Sequence, residues 1–418
     1  MSRKLFFLLI LFLPSQIGRH FWPQSFLVSG IRIDYLAPTI YFTDLIKLGI
    51  LVSFLFEQRK KLSLLKKLLS AKYMIPLFLL LFFIINIFSS SFRLIAFYKS
   101  LKIIEFIFLG FYIVKSKIKL PSLLIPLALG VLFSSILGLA QLIKQSSLNG
   151  LFYFFGERTF TASTPGISLI DISGRLLLRP YAAFPHPNVL GGFLSIALIF
   201  IFFFFKTMKK NISYVGFFLF VLLFGVISLL TTFSLSSNLA FMTSFILLII
   251  AHPKTFLFKL KPLFIFLPLF LLVFVLFLTK VYSVNFLNDS ALRIRLDLEA
   301  VSLWLQNPYI GIGLNNFIPL SHISSESLFF FRQPVHNIYL LVLAETGFIG
   351  FFTFIFLILS SLKRSLKLWR QKIYLPLLLL IQVLLIGFVD HYFLTLQQGQ
   401  ILLVLVFSLA FLPKSSYT

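Results

Sequence analysis

Long apolar runs alternate with short stretches rich in Lys and Arg from one end of the chain to the other. A helix needs about 20 mostly apolar residues to cross a bilayer. Windows of that kind fall at 5–18, 37–56, 73–90, 93–114, 121–143, 187–205, 212–231, 237–251, 263–281, 336–360, 374–390 and 398–413. The pattern predicts an all-α fold, a polytopic bundle of about 12 transmembrane helices with residues 1–418 as a single integral membrane domain. The first window is the weakest, because its continuous apolar run stops at Leu13 before Pro14. Its Arg3-Lys4 start resembles a signal peptide, yet no A-x-A-like cleavage site follows, so it reads as a retained first helix.

Charge sets the orientation. Basic clusters at Arg3-Lys4, Arg59–Lys72, Lys115–Lys119, Lys206–Lys210, Lys254–Lys261, Lys363–Lys372 and Lys414 occupy every second loop. Cytoplasmic loops carry the excess of Lys and Arg, so both termini are expected in the cytoplasm. Two longer loops, 144–186 and 282–335, then face outward, and loops of that length are usually functional.

Composition agrees. The chain is 59% hydrophobic and 12% charged, about half the charge of a soluble domain, which excludes a water-soluble fold and a disordered one. A net charge of +25 would suit a nucleic-acid binder, but the basic residues mark topology and attract anionic lipid headgroups instead. With no cysteine, thiolate chemistry and Cys-ligated metal sites are impossible.

Candidate chemistry collects in the outward loops. The first contains Arg179 and then Pro185-His186-Pro187-Asn188, where His186 is held between two prolines. That segment reads equally as a rigid turn and as part of a site. Arg179, beside the membrane surface, needs an anionic partner.

The second loop carries Arg293, Arg295, Asp297 and Glu299, which as a helix give Arg293–Asp297 and Arg295–Glu299 pairs at i,i+4. The two arginines then point about 200° apart, so at most one addresses a given ligand. Surface ion pairing alone is the competing reading. Gly311 and Gly313 allow a tight turn with exposed N–H groups, an anion-friendly arrangement, although Gly-x-Gly alone is a weak motif. Arg332 precedes His336-Asn337 at the start of the tenth window, with Glu345 and Gly347 deeper. The positive end of a helix favours neutral imidazole at His336, and a neutral histidine is a competent general base.

Charges inside the windows need partners. Asp44 and Lys47, and Lys99, Lys102 and Glu105, are spaced to lie along single helix faces and pair, or to line a pathway. Asp390-His391, with Gln397 and Gln398 beyond, is a further candidate for a site wall.

Taken in order, these segments resemble the O-antigen ligase and polysaccharide polymerase superfamily. The resemblance rests on Arg179 to Asn188, on Pro308-x-x-Gly311-x-Gly313-x-x-Asn316-Phe317, and most on His336-Asn337 followed by Leu340, Glu345 and Gly347. It implies a membrane glycosyltransferase of the GT-C type in the cytoplasmic (inner) membrane, with its active site facing outside. The implied donor is an undecaprenyl-diphosphate-linked glycan and the acceptor a glycan, lipid or protein. His336 would be the base, Arg293 or Arg295 would bind diphosphate, and Arg179 and Arg332 are further candidates. His186, Asn188, Gly311, Gly313, Asn337 and Glu345 would support the site. The resemblance calls for no cofactor, metal or nucleic acid. Ligase and polymerase are not separable from these residues. A lipid-linked oligosaccharide flippase is the alternative of another class, though no matching halves of the kind transporters carry are visible.

Overall fold

The computed structural model describes residues 1–58, 74–172, 174–205, 212–251, 285–322 and 332–417. Helices follow the apolar windows closely. They are α1 (Ser2–Leu11), α2 (Phe42–Gln58), α3 (Met74–Ser89), α4 (Arg93–Ser116), α5 (Leu124–Lys144), α6 (Pro187–Phe205), α7 (Ile212–Thr231) and α8 (Leu235–Ala251). Then come α9 (Asn285–Gln306), short α10 (Phe317–Leu320), long α11 (Ile338–Arg370), α12 (Leu375–Gly387), short α13 (Tyr392–Thr395) and α14 (Gln397–Leu409). Among the described residues, four helices are long and apolar enough to cross a membrane: the helical stretch Leu120–Lys144, α6, α7 from Ser213, and α11. Shorter apolar helices stand beside them. The chain is an all-α, multi-pass membrane protein. The window at 263–281 lies outside the described residues.

Two expectations change. The first helix ends at Leu11, well short of residue 18 and too short to span alone. Proline at position 14 lacks an amide hydrogen and disfavours helical backbone just before it. The loops also hold small sheets: β1 (Gly18–His20) pairs antiparallel with β2 (Thr39–Tyr41), and β3 (Leu169–Ile172) with β4 (Arg175–Leu178).

Helix α6 is the axis of the bundle. Every residue from Val189 to Phe205 is buried, and α5, α7, α8, α12 and α14 surround it. Close approach depends on Gly192, where an added Cβ would collide with the Tyr392 hydroxyl and ring. A small residue lets a neighbouring element press close against a helix in this way where lipid gives no hydrophobic drive to associate.

Two charged pairs join α2 to α4. Lys47 reaches Asp44 at 3.0 Å and Glu105 at 2.8 Å, while Lys102 contacts Asp44 and lies 3.4 Å from Glu105. Buried ions persist only when paired, and this quartet gives each of the four charges an opposite one within 4.0 Å. Lys99, one turn from Lys102, stands outside it.

Candidate active site

At the pole of the bundle that carries the loops, four chain segments meet. These are the starts of α6 and α11, the turn after α12, and the face of α9 that carries Arg293. Each is anchored by ordinary local chemistry.

The segment before α6 is held by buried side chains. Gln141 accepts from the amides of Tyr181 and Ala182 at 3.0 and 2.7 Å and donates to Glu157 at 2.8 Å. Glu157 in turn accepts from the Leu148 and Asn149 amides, both at 2.7 Å. This fixed turn delivers His186 and Asn188. The Asn188 amide donates to Nδ1 of His186 at 3.1 Å, so that nitrogen carries a lone pair and the imidazole is neutral.

Asn188 is the hinge between two charges. Its carbonyl oxygen accepts from Arg179 Nη2 at 2.7 Å, and its Nδ2 donates to Asp390 at 2.8 Å. Arg179 also donates through Nε to the Thr232 carbonyl and through Nη1 to Ser168, both at 2.9 Å. All three of its nitrogens are thus engaged in protein contacts, and it acts here as a clamp between β4, α6 and the end of α7. Asp390 accepts from the His391 amide at 2.9 Å as well.

The start of α11 completes the cluster. Asn337 is its N-cap, its side chain accepting from the Tyr339 and Leu340 amides at 2.9 and 3.1 Å. His336 therefore points from a capped, fixed position. Its Nε2 lies 2.8 Å from the Gln333 carbonyl oxygen, which only accepts, so Nε2 bears the proton. Nδ1 then holds a lone pair, shielded from solvent and without a partner among the described residues. The ring of His391 stands 4.9 Å from that of His336, and His391 Nδ1 is 2.7 Å from the Thr395 hydroxyl. Ligand atoms of His336, Asp390 and His391 all lie within 4.8 Å of one another, a group that could hold a divalent cation or move a proton.

The electrostatics favour neutral imidazoles. Burial pushes His186 and His336 down to about 3 and His391 to about 4. For His336 burial comes first, followed by the neighbouring His391, rather than the helix end expected from sequence. Burial opposes ionisation of Asp390, but the adjacent imidazoles and the Asn188 amide outweigh it and hold the carboxyl below the usual range.

The four candidate arginines separate. Arg293 is partly buried, donates to the Val389 carbonyl at 3.0 Å, and lowers the pKa of all three histidines. Its expected ion pair with Asp297 does not form within 4.0 Å, because the side chain reaches across to the turn after α12. Arg295 is exposed on α9. Glu299, expected opposite it, accepts from the His322 amide at 3.0 Å. Arg332 donates to the Ser321 carbonyl at 3.0 Å and closes the end of α10. Sequence reasoning passed over Arg158, which reaches the Pro185 carbonyl at 3.4 Å and whose charge acts on Tyr35, itself 5.4 Å from His391 ring to ring.

Gly311 and Gly313 differ from expectation. Their loop pairs with an opened stretch of α11, whose backbone is non-helical at Gly347 (φ 59°, ψ −165°). The Ile312 and Gly313 amides donate to the carbonyls of Ala344 and Glu345 at 3.0 and 3.1 Å, and the Phe348 amide to Pro308 at 2.8 Å. Asn86 adds Nδ2 bonds of 3.0 Å to Ile310 and Glu345 carbonyls. These amides satisfy a broken helix and are not free for an anion. At Gly311 (φ +78°) a Cβ would strike the backbone of Glu345 and Thr346. Glu345 is buried, its carboxylate 3.4 Å from the Phe317 amide, and so supports this joint rather than the histidines.

With that geometry in place, comparison with known proteins narrows the class. Residues 218–355 match the O-antigen ligase family. The matched segment runs from α7 into α11 and includes Arg293, Gly311, His336 and Glu345. Over that segment the chain is similar to O-antigen ligases, which supports a ligase- or polymerase-type membrane enzyme acting on glycans. Among curated proteins, none matches the chain. Arg179, His186, Asn188, Asp390 and His391 lie outside the matched segment, and only the fold brings them to His336.

Proposed function

We propose that this O-antigen ligase-like protein transfers a glycan from undecaprenyl diphosphate to an acceptor hydroxyl at the outer face of the cytoplasmic membrane. The observation that carries the reading is the unpartnered lone pair on His336 Nδ1, next to a buried carboxylate and a guanidinium. In the reaction the acceptor hydroxyl gives its proton to His336 as its oxygen bonds to the anomeric carbon. The bond from that carbon to the phosphate oxygen breaks, and the diphosphate leaves with one more negative charge. Diphosphate is already a good leaving group, so the site needs positive charge and a base rather than an acid.

Arg293 supplies the permanent, fork-shaped charge, and Arg158, which donates to the Pro185 carbonyl next to His186, adds a second cation. Asp390 stabilises the imidazolium that forms, and Asn188 with Arg179 holds Asp390 in place. Arg179 and Arg332 act as scaffolding, and Arg295 lies on the exposed face of α9. No step calls on a metal.

The test is transfer by the purified, reconstituted protein from an undecaprenyl-diphosphate oligosaccharide, with the glycosylated product identified by mass spectrometry. Wild type should release undecaprenyl diphosphate stoichiometrically with product. Movement of intact donor across the bilayer without cleavage would replace the transferase with a flippase.

A further inference from the structure

A second polar feature lies one residue shell from the histidines. A cavity of about 40 Å³ opens between the β1–β2 segment, α4 and α14, and its wall includes Tyr35, Tyr98, Lys99, Asn315, Thr395 and Gln400. One water needs roughly 10–15 Å³ by this measure, so the space admits a group of about three heavy atoms. Two walls are shared with the site: Thr395 bonds His391, and the Tyr35 ring stands edge-on to it.

Lys99 is the feature without an explanation. An ammonium has three donors, and among the described residues its hydrogen bond goes to the Leu394 carbonyl alone. Lys102, also on the wall, is neutralised by Asp44 and Glu105. Lys99 makes no ion pair within 4.0 Å among the described residues. Glu345 feels its charge, yet that carboxylate faces the Asn315 and Phe317 amides. Asp34, the acidic residue on the cavity wall, is exposed. The result is a partly buried cation, flanked by amides and tyrosines, turned into a space the size of a carboxylate.

We propose that the Lys99 cavity is a subsite for a carboxylate on a sugar ring of the glycan substrate, and that it makes the enzyme selective for acidic glycans. This rests on the transferase reading above. Lys99 would receive the carboxylate inside the cavity, with Gln400 beside it on the shared Leu394 carbonyl, and the ring that bears the carboxylate would lie outside the cavity, toward Tyr35 and His391. Lys99 is a specificity residue, since it touches no reacting atom.

The experiment uses the full-length protein with two matched glycans, one containing glucuronic acid and one with that carboxyl reduced to give glucose. In one arm the acidic ring is on the lipid-diphosphate donor and the acceptor is neutral; in the other the arrangement is reversed. Wild type should favour the acidic form in one arm by about tenfold in kcat/KM, the scale of a charge-assisted hydrogen bond, chiefly through KM. That arm tells whether donor or acceptor supplies the group. Lys99→Met should erase the preference and leave the neutral pair unchanged. Absence of preference in wild type overturns the proposal without any variant. An equal loss by Lys99→Met on acidic and neutral glycans overturns it too, by showing a structural lysine. If Lys99→Met does not fold, Gln400→Leu, which removes the side-chain amide that shares the Leu394 carbonyl with Lys99, should weaken the acidic glycan selectively, and equal activity on both glycans there counts against the subsite. Failure of wild type to transfer any glycan would instead refute the transferase reading.

Discussion

Asn188 is the most exacting place to perturb the site. Its side chain makes two hydrogen bonds to charged groups, one from Arg179 at 2.7 Å and one to Asp390 at 2.8 Å. Each such bond is worth about 1.5–3 kcal/mol, and a buried charge left short of partners costs at least as much. Asn188→Ala leaves Asp390 with the His391 amide alone among these contacts. Water entering the vacated space returns part of the loss, so a net cost of about 2–4 kcal/mol is expected. For a chain of this size that lowers Tm by roughly 5 °C or more, measured by thermal unfolding in detergent. Asn188→Asp separates charge from shape. It keeps a partner for Arg179 but sets a second carboxyl beside Asp390, and two such carboxyls share a proton. Its loss of Tm relative to wild type should therefore be largest near pH 8 and shrink below about pH 5. Unchanged Tm and transfer activity in Asn188→Ala, or a pH-independent deficit in Asn188→Asp, would refute the reasoning.

Other consequences are as direct. Arg293→Ala should lower kcat/KM for the lipid-diphosphate donor by about a hundredfold or more, whereas Arg295→Ala should change it less than about threefold; equal effects in steady-state assays would undo their separation. His186, His336 and His391 are held neutral when folded, at about 3, 3 and 4. The unfolded chain binds protons below about pH 6.5 that the folded one refuses, so stability is complete above that pH and is lost as pH falls toward 4. Tm against pH should show this, with a shallower fall in His391→Asn. Gly311→Ala should abolish recovery of folded protein by size-exclusion chromatography, because its Cβ meets backbone on both sides of the opened helix. Transfer activity should survive exhaustive chelation with EDTA, and loss restored by one divalent cation would turn His336, Asp390 and His391 into ligands.

Much of the scaffold was readable from apolar windows, because a bilayer demands long continuous hydrophobic helices and leaves few other patterns. The windows at 187–205 and 212–231 coincide with α6 and α7. What failed was local: Pro14 shortened α1, and the Gly311–Gly313 turn proved to be the partner of a break at Gly347. Nothing in a one-dimensional pattern tells which amides will satisfy an opened helix. His336 and Arg293 could be singled out from their loops, but their company could not. Asn188 and Asp390 are 202 residues apart and meet only through the packing of α6 against α12. Lys99 looked like a member of the Lys102–Glu105 face, yet one turn of helix carries it out of that network and into the cavity.

The central claim, that the site proposed at His336 faces outward and binds a lipid diphosphate, has a direct measurement because the chain lacks cysteine. Gln333→Cys replaces the side chain bonded to His336 and places a single thiol next to that imidazole. A membrane-impermeant maleimide should label it in intact spheroplasts, and undecaprenyl-diphosphate oligosaccharide should slow that labelling in a concentration-dependent way. Labelling only after the cytoplasmic side is opened, or a rate indifferent to the donor, would contradict the account.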